Sequence, residues 1–235
     1  VEGKILRLRH QDFLSAASIG DIMRKHLDQY GTFENLPDKI AIQLNDTHPT
    51  LAIPEMLRIL LDDCGYGWSA ALSIVRRTFA YTNHTVMSEA LEKWDEGIFR
   101  ATLPRIYTLI QELDRTAREE LFRRFPGDNG KVDYMSILGE GKVRMANLCA
   151  YVCHSVNGVS KLHSEIIKES VFHDYYLYAP EKFKNVTNGI AYRRWLLQSN
   201  PGLTDLIQEA IGDGFKQDAG ELIRLERFLS DGPFL

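Results

Sequence analysis

Apolar residues recur at three- and four-residue steps along much of the chain, a spacing that predicts amphipathic helices. The longest such stretch spans residues 103–124, with Pro104 in its first turn, and it ends before Pro126-Gly127. Its predicted inward positions are Leu103, Ile106, Ile110, Leu113, Ala117 and Leu121. Shorter helices are predicted over residues 13–27, 51–63, 68–79, 157–170, 193–198 and 201–214. The inward residues expected in three of these are Phe13, Ala16, Ile19, Met23 and Leu27; Leu57, Leu60 and Leu61; and Val159, Leu162 and Ile166.

Short runs rich in β-branched and aromatic residues lie between these helices and predict strands. They cover residues 39–44, 78–82 and 182–190, and the apolar run over residues 146–156 is interpreted as a further strand. An acidic helix is expected directly after His84. Short strands separated by helices indicate the α/β class, heavily helical. An all-helical tail follows Asn188-Gly189, which predicts a boundary between residues 1–188 and 189–235.

Composition and charge narrow the class of protein. Hydrophobic residues make up 44% and charged residues 26%, as in soluble globular proteins, and a net charge of -4 with mixed signs argues against nucleic-acid or membrane partners. Three cysteines fit thiols in a reducing compartment, so a cytoplasmic location is expected, and no apolar run is long enough for a transmembrane helix. The chain begins without methionine in the middle of a pattern, which indicates a piece of a longer protein.

Polar residues follow three of the predicted strands at the point where each one stops. These segments are residues 45–48, 82–85 and 185–189, and each contains asparagine. In an open α/β sheet, ligands bind beyond the carboxyl ends of the strands, and this set of amides, histidines and a carboxylate suits a ligand rich in hydroxyl groups. The alternative interpretation is that Asn and Asp simply form local turns after strands.

Other chemistries have weaker support in the sequence. The histidines lack the compact spacing of a helical zinc motif, so no metal site is predicted. Cys153 and His154, if on a strand, point to opposite faces, so Cys153 is expected to be a core thiol and not a nucleophile. His163 is expected to be an interior histidine with satisfied hydrogen bonds. Residues 139–142 are expected to form a turn and not a phosphate-binding loop.

Four longer peptides carry a resemblance that is more specific than any of these motifs. They are "AIQLNDTHPTLAIPEMLRIL", "FAYTNHTVMSEALEKW", "VNGVSKLHSEIIK" and "KNVTNGIAYRRWLLQSNPGL". Together with "LRLRHQDFLSAASIGDIMRKH" they resemble, in order, the α-glucan phosphorylases, which include the glycogen, starch and maltodextrin phosphorylases. The resemblance implies a two-domain glycosyltransferase architecture of the GT-B kind and a pyridoxal phosphate cofactor. It also implies phosphorolysis of the terminal glucose of an α-1,4-glucan, in a cytoplasmic homodimer.

The resemblance also implies roles for particular positions. His84 matches the histidine whose backbone carbonyl faces the transferred glucosyl unit. Asn188 matches the asparagine that binds the sugar 6-hydroxyl, whereas Asp46 and His48 match residues on the acceptor side of the cleft. Val159 matches a residue near the glucose. Two further positions bear on the second domain: Trp195 matches a neighbour of the cofactor, and Ala191-Tyr192 replaces the Thr-Pro of many members.

The family's cofactor lysine has no match in the chain, because Lys216 lies in a segment that does not resemble it. Residues 1–188 are thus expected to be the C-terminal portion of the N-terminal domain, and residues 189–235 the incomplete start of the cofactor-binding domain. No cofactor is expected to bind this chain alone, which is predicted to be inactive in isolation. Two alternatives are a non-catalytic glucan-binding or assembly module and a metal-dependent hydrolase that uses the histidines.

Overall fold

The computed structural model describes residues 2–232, so the outer ends of the two predicted domain ranges, residue 1 and residues 233–235, lie outside it. The chain divides after Thr187 into two compact units. The assignment of these units to domains of a larger architecture stays a prediction. No helix among the described residues is both long and apolar enough to cross a membrane.

The first unit contains ten α-helices in its described part. They are α1 (Glu2–Tyr30), α2 (Leu36–Lys39), α3 (Ala52–Arg58), α4 (Trp68–Thr78), α5 (Glu96–Thr102), α6 (Pro104–Arg124), α7 (Asn129–Met135), α8 (Met145–Val152), α9 (Lys161–Ile166) and α10 (His173–Tyr178). Two helices continue as π-helical turns, Ile59–Asp63 after α3 and Ile167–Val171 after α9. Short 3₁₀ turns occur at Ser88–Ala90 and Pro180–Lys182.

Seven short strands form two sheets in the first unit. They are β1 (Ile42–Asn45), β2 (Phe79–Thr82), β3 (Lys93–Asp95), β4 (Leu138–Gly139), β5 (Lys142–Arg144), β6 (Ser155–Gly158) and β7 (Phe183–Asn185). The main sheet is parallel throughout, in the order β1-β2-β6-β7, and the smaller antiparallel sheet has the order β3-β5-β4. A parallel sheet joined by helices confirms the predicted α/β, heavily helical class.

The hydrophobic core follows the predicted helical faces in part. Helix α6 buries the expected stripe from Ile106 to Leu121. In α1, Ile19 and Met23 are buried as predicted, but Phe13 and Leu27 are exposed. Six residues turn a helix through about 240°, so Phe13 lies off the stripe that Ile19 defines. Leu61 is only half-buried, although it packs against the core that contains the fully buried Leu57 and Leu60.

The prediction of a single strand over residues 146–156 is wrong. This apolar run forms the end of the helix α8 and the start of the strand β6. A segment buried on nearly all sides has no polar face, so its periodicity cannot distinguish helix from strand. Cys153 caps the C-terminus of α8, and the argument from strand alternation therefore does not apply to it. It is nevertheless fully buried, as expected of a core thiol.

Three other local predictions need correction. No acidic helix follows His84: the segment forms a 3₁₀ turn and then β3, whose Trp94 is buried against β5. In α9, Leu162 is 72% exposed, whereas His163 and Ser164 are buried, because the neighbouring strand end contacts the polar face of this helix. The strand predicted over residues 182–190 is β7, which ends at Asn185.

The turn between β4 and β5 is formed by Glu140 and Gly141, both with positive φ, at 55° and 68°. Two left-handed residues are what a tight two-residue hairpin requires. The prediction of a turn at residues 139–142 is therefore confirmed.

Within residues 188–232, the elements of the second unit are all helical, as predicted. It contains the π-helical segment Arg193–Gln198, the helix α11 (Pro201–Ile211) and 3₁₀ turns at Gly214–Lys216 and Ala219–Phe228. Its small core is built on Ile207, Ile211 and Phe215.

Candidate functional site

The carboxyl ends of the parallel strands meet at one edge of the main sheet. Asn45 of β1 lies beside Thr82 of β2, and the ladder continues one step further, where the Asp46 amide donates to the Thr82 carbonyl at 3.0 Å. On the other side, the Asn83 amide donates to the Asn157 carbonyl at 2.9 Å. Asp46 and His84 thus leave neighbouring strands at the same edge, where the pattern placed them.

His84 lies exposed at this edge, and its ring is tied to the adjacent strand. Its Nε2 lies 2.6 Å from Oδ1 of Asn45. The ring therefore points along the strand ends. This contact is made by the ring of His84, and the backbone carbonyl of His84 takes no part in it.

The segment after β1 turns sharply at Asp46, whose φ is 67°. Its Oδ1 accepts a hydrogen bond of 2.7 Å from the amide of Thr47. Aspartate tolerates the left-handed region better than most residues because its short side chain binds the local backbone. The local-turn interpretation of these polar residues is thus correct at Asp46, and the turn also directs residues 46–48 toward a cleft.

This cleft has a volume of about 350 Å³. It is lined by Asp46, Thr47 and His48 from the turn, and by Thr85 and Glu92 from the segment after β2. Basic side chains at its margin are Lys4, Arg7, Lys93 and Lys142. Among the described residues, Asp46 and His48 therefore face the cleft, whereas His84 and Val159 are not part of its wall.

Glu92 is the residue of this cleft that the sequence interpretation missed. Its side chain is 12% exposed, and its Oε1 accepts from Trp94 Nε1 at 3.1 Å, from Gln11 Nε2 at 3.0 Å and from Arg7 at 3.2 Å. Its Oε2 accepts from the Thr47 hydroxyl at 2.8 Å. One carboxylate thus joins α1, the turn after β1 and β3. The only signal for it was that the matching peptide continued to Trp94, beyond the strand end.

Val159 is linked to the end of β2 by hydrogen bonds through the His163 ring. The Val159 amide donates to Nδ1 of His163 at 3.1 Å, and Nε2 of the same ring lies 3.1 Å from Oδ1 of Asn83. Both ring nitrogens of this buried histidine have partners, which confirms the expectation of a satisfied interior histidine. The ends of β2 and β6 are therefore joined by a side-chain network.

A second amide network crosses the sheet one residue earlier. Oδ1 of Asn157 accepts from the Thr82 hydroxyl at 2.9 Å and from Gln43 Nε2 at 3.2 Å. Beyond β6, Ser164 Oγ donates to Asn185 Oδ1 at 2.8 Å. Polar contacts thus run along all four strand ends, which gives the edge fixed donors and acceptors.

The remaining predicted residues belong to the second unit. Asn188 is exposed in an irregular segment, and Trp195 is 65% exposed on the π-helical turn. Lys216 is the single lysine in the sequence after residue 187, and its ammonium donates to Gln208 Oε1. Lys216, the one lysine that this segment could offer to a phosphorylated cofactor, is thus already bound to Gln208.

Residues 2–232 contain no group of three or more His, Cys, Asp or Glu side chains placed to hold a metal ion. The metal-dependent hydrolase therefore has no structural support in the described part of the chain.

Comparison with known proteins identifies the family. The chain matches the family described as carbohydrate phosphorylase over residues 1–235. It is 45% identical over 234 residues to the glycogen phosphorylase of Bacillus subtilis, and 46% and 44% identical over 245 aligned residues to the brain and liver forms of Homo sapiens. Each comparison covers 100% of this chain and 29% of the relative. The chain belongs to the carbohydrate phosphorylase family, as predicted, and spans 29% of the length of these relatives.

Proposed function

We propose that this chain forms part of an α-1,4-glucan phosphorylase, which uses phosphate to release glucose 1-phosphate from glucan ends with retention of configuration. The observation that carries the proposal is the row of hydrogen-bonded polar residues at the parallel strand ends, beside a cleft, in a chain that matches the family throughout. The proposed partners are the glucan and phosphate, in a cytoplasmic homodimer of the GT-B kind.

The proposed roles follow the resemblance, and two of them are supported by the position of Asp46 and His48 in the cleft wall. The turn that carries Asp46 and His48 lines the cleft and binds sugar hydroxyls through carboxylate and imidazole. The backbone carbonyl of His84 stabilises the positive charge that develops on the transferred glucosyl unit. For Val159 and Asn188 the proposed roles rest on the resemblance alone: Val159 near the glucose, and Asn188 as the partner of the 6-hydroxyl.

The proposed cofactor is pyridoxal phosphate, whose own phosphate group supplies proton transfer to the substrate phosphate when bound. Trp195 is the residue of this chain proposed to lie beside it. The family's cofactor lysine has no match in this sequence, so its contact is proposed to come from another part of the phosphorylase.

A chain that supplies only the sugar side of such a site is expected to be inactive alone. Phosphorolysis requires the sugar and phosphate pockets to be held against each other, and a displacement of about 1 Å can reduce the rate about a hundredfold. We therefore expect the 235-residue chain to release no glucose 1-phosphate from maltodextrin and phosphate.

The test is a coupled glucose 1-phosphate assay on the 235-residue chain and on the full-length phosphorylase that contains it. Activity of the full-length protein with none from the chain supports the proposal. Turnover by the chain alone would show that the catalytic groups have been misplaced. Binding of maltoheptaose without turnover in the full-length protein would instead support the non-catalytic glucan-binding module.

A further inference from the structure

The side chain of Asn83 is fully buried directly before the exposed His84. Its Nδ2 donates to the Tyr81 hydroxyl at 3.0 Å, which fixes the orientation of the amide. Its Oδ1 accepts from the backbone amide of Thr85 at 3.0 Å and faces Nε2 of His163 at 3.1 Å. Asn83 therefore holds the backbone amide of Thr85, the residue after His84, from the buried side.

His163 is 6% exposed, and its tautomer is determined by its neighbours. The Val159 amide is a donor only, so Nδ1 of His163 accepts from it at 3.1 Å and carries no proton. The proton of the neutral ring is therefore on Nε2, which donates to Oδ1 of Asn83. The His163 amide is itself held by Ser160 Oγ at 3.1 Å, so the ring is supported from the start of α9.

These contacts orient the carbonyl group of His84. The carbonyl of His84 and the amide of Thr85 belong to one peptide group, which is planar and trans, so they point in opposite directions. The Thr85 amide points inward to Asn83 Oδ1. The His84 carbonyl must therefore point away from the buried network, toward the exposed edge of the sheet.

We propose that Asn83 and His163 are positioning residues, which aim the His84 carbonyl at the transferred sugar by fixing the peptide group between His84 and Thr85. The inference rests on the proposed function. Neither side chain touches the substrate in this scheme. His163 acts on Asn83, and Asn83 acts on the peptide group.

A positioning role has a kinetic signature. A carbonyl that meets charge developing only in the transition state affects kcat more than the binding of the glucan. In the full-length phosphorylase, His163→Ala is expected to lower kcat for phosphorolysis at least about tenfold while KM for maltodextrin changes less than about threefold, since displacements of about 1 Å have effects of this size or larger.

Two substitutions at position 163 separate positioning from packing. In His163→Gln the amide nitrogen replaces Nε2, so the donor to Asn83 is kept and the acceptor for Val159 is lost. In His163→Asn the oxygen replaces Nδ1, so the reverse holds. We expect His163→Gln to keep kcat within about threefold of wild type and His163→Asn to lose at least about tenfold, at similar melting temperatures. His173→Gln, at an exposed histidine of α10, is the matched control and is expected to leave kcat unchanged.

The outcomes are distinguishable. If the full-length wild type releases no glucose 1-phosphate, the proposed function is wrong and the positioning role falls with it. If the wild type is active but His163→Asn keeps its kcat, or both variants lose kcat in step with their melting temperatures, the positioning role alone is wrong. Long-range ¹H–¹⁵N NMR of the 235-residue chain adds a readout without activity: the proton of His163 is expected on Nε2, and a proton on Nδ1 would overturn the inference.

Discussion

Removal of the Glu92 carboxylate is expected to destabilise the first unit and loosen the cleft. Glu92 accepts from four donors, but they are not equivalent. Arg7 is 58% exposed, so its ion pair with Glu92 contributes little. Thr47 and Trp94 are buried and Gln11 is half-buried, so these three donors depend on the carboxylate.

The size of the effect follows from those three donors. A buried donor left without an acceptor costs about 1–3 kcal/mol, and the cleft admits water that rehydrates part of the gap. We therefore expect Glu92→Ala to lower the free energy of unfolding by about 3–5 kcal/mol. Glu92→Gln keeps one oxygen, and the Thr47 hydroxyl can turn to accept from the new amide, so the expected loss is about 1 kcal/mol.

Urea unfolding of the 235-residue chain, followed by tryptophan fluorescence, measures these differences at constant denaturant slope. The matched control is Glu89→Ala in the same segment, since Glu89 is exposed and accepts a long hydrogen bond from the Ser88 hydroxyl at 3.5 Å. Its expected effect is within about 0.5 kcal/mol. Equal midpoints for Glu92→Ala and Glu89→Ala would refute the reasoning, because the four hydrogen bonds would then have no net energetic value.

Three further predictions concern other parts of the first unit. Gly158→Ala should unfold at lower urea than Gly130→Ala, since a Cβ at Gly158 would stand 2.6–2.8 Å from Ser164, against 3.9 Å to the nearest atom at Gly130. Burial lowers the pKa of Lys182 from 10.5 to about 8, so unfolding takes up a proton between pH 8 and pH 10.5. In urea titrations, the stability of the wild type relative to Lys182→Met should therefore rise from pH 8 to pH 10.5 and stay level below pH 8. One thiol, that of Cys64, should react with Ellman's reagent in the native chain and three in urea. Since the thiolate is the reacting form, the native rate should rise with pH, and the rise should lie at higher pH than for an ordinary thiol because desolvation and the charge of Asp63 raise the pKa of Cys64.

The class of fold was predictable from the sequence in part because helix α6 has a clear polar side. Helix α6 alternates apolar and charged positions over six turns, and the stripe from Ile106 to Leu121 is buried as the period requires. Where both sides are buried, as in α8, the same argument loses its signal and the helix was taken for a strand. The polar residues that follow the strands were also recognisable in the sequence. Because β1 and β2 pair in parallel, Asp46 and His84 then lie at one edge of the sheet.

Glu92 could not be found in this way, because what makes it important is long-range. Its partners Arg7 and Gln11 lie 85 and 81 residues away in the chain, and local spacing says nothing of such contacts. A glutamate in a charged segment is more often exposed to solvent. Only the folded structure places the Glu92 carboxylate within hydrogen-bond distance of the Thr47 hydroxyl.

The segment at His84 illustrates why a residue match and a structure carry different information. The match drew attention to His84, yet the group proposed to act there is a backbone carbonyl that any residue would supply. Its direction depends on the neighbouring peptide amide, and that amide is held by Asn83, whose oxygen also faces His163 from 80 positions further along the chain. Substitution of His84 itself therefore removes a ring bound to Asn45 and leaves the carbonyl in place, whereas a change at His163 leaves His84 intact and removes one of the contacts that hold it. The orientation of the group proposed to act at this edge thus depends on the buried side chains beneath the exposed residue.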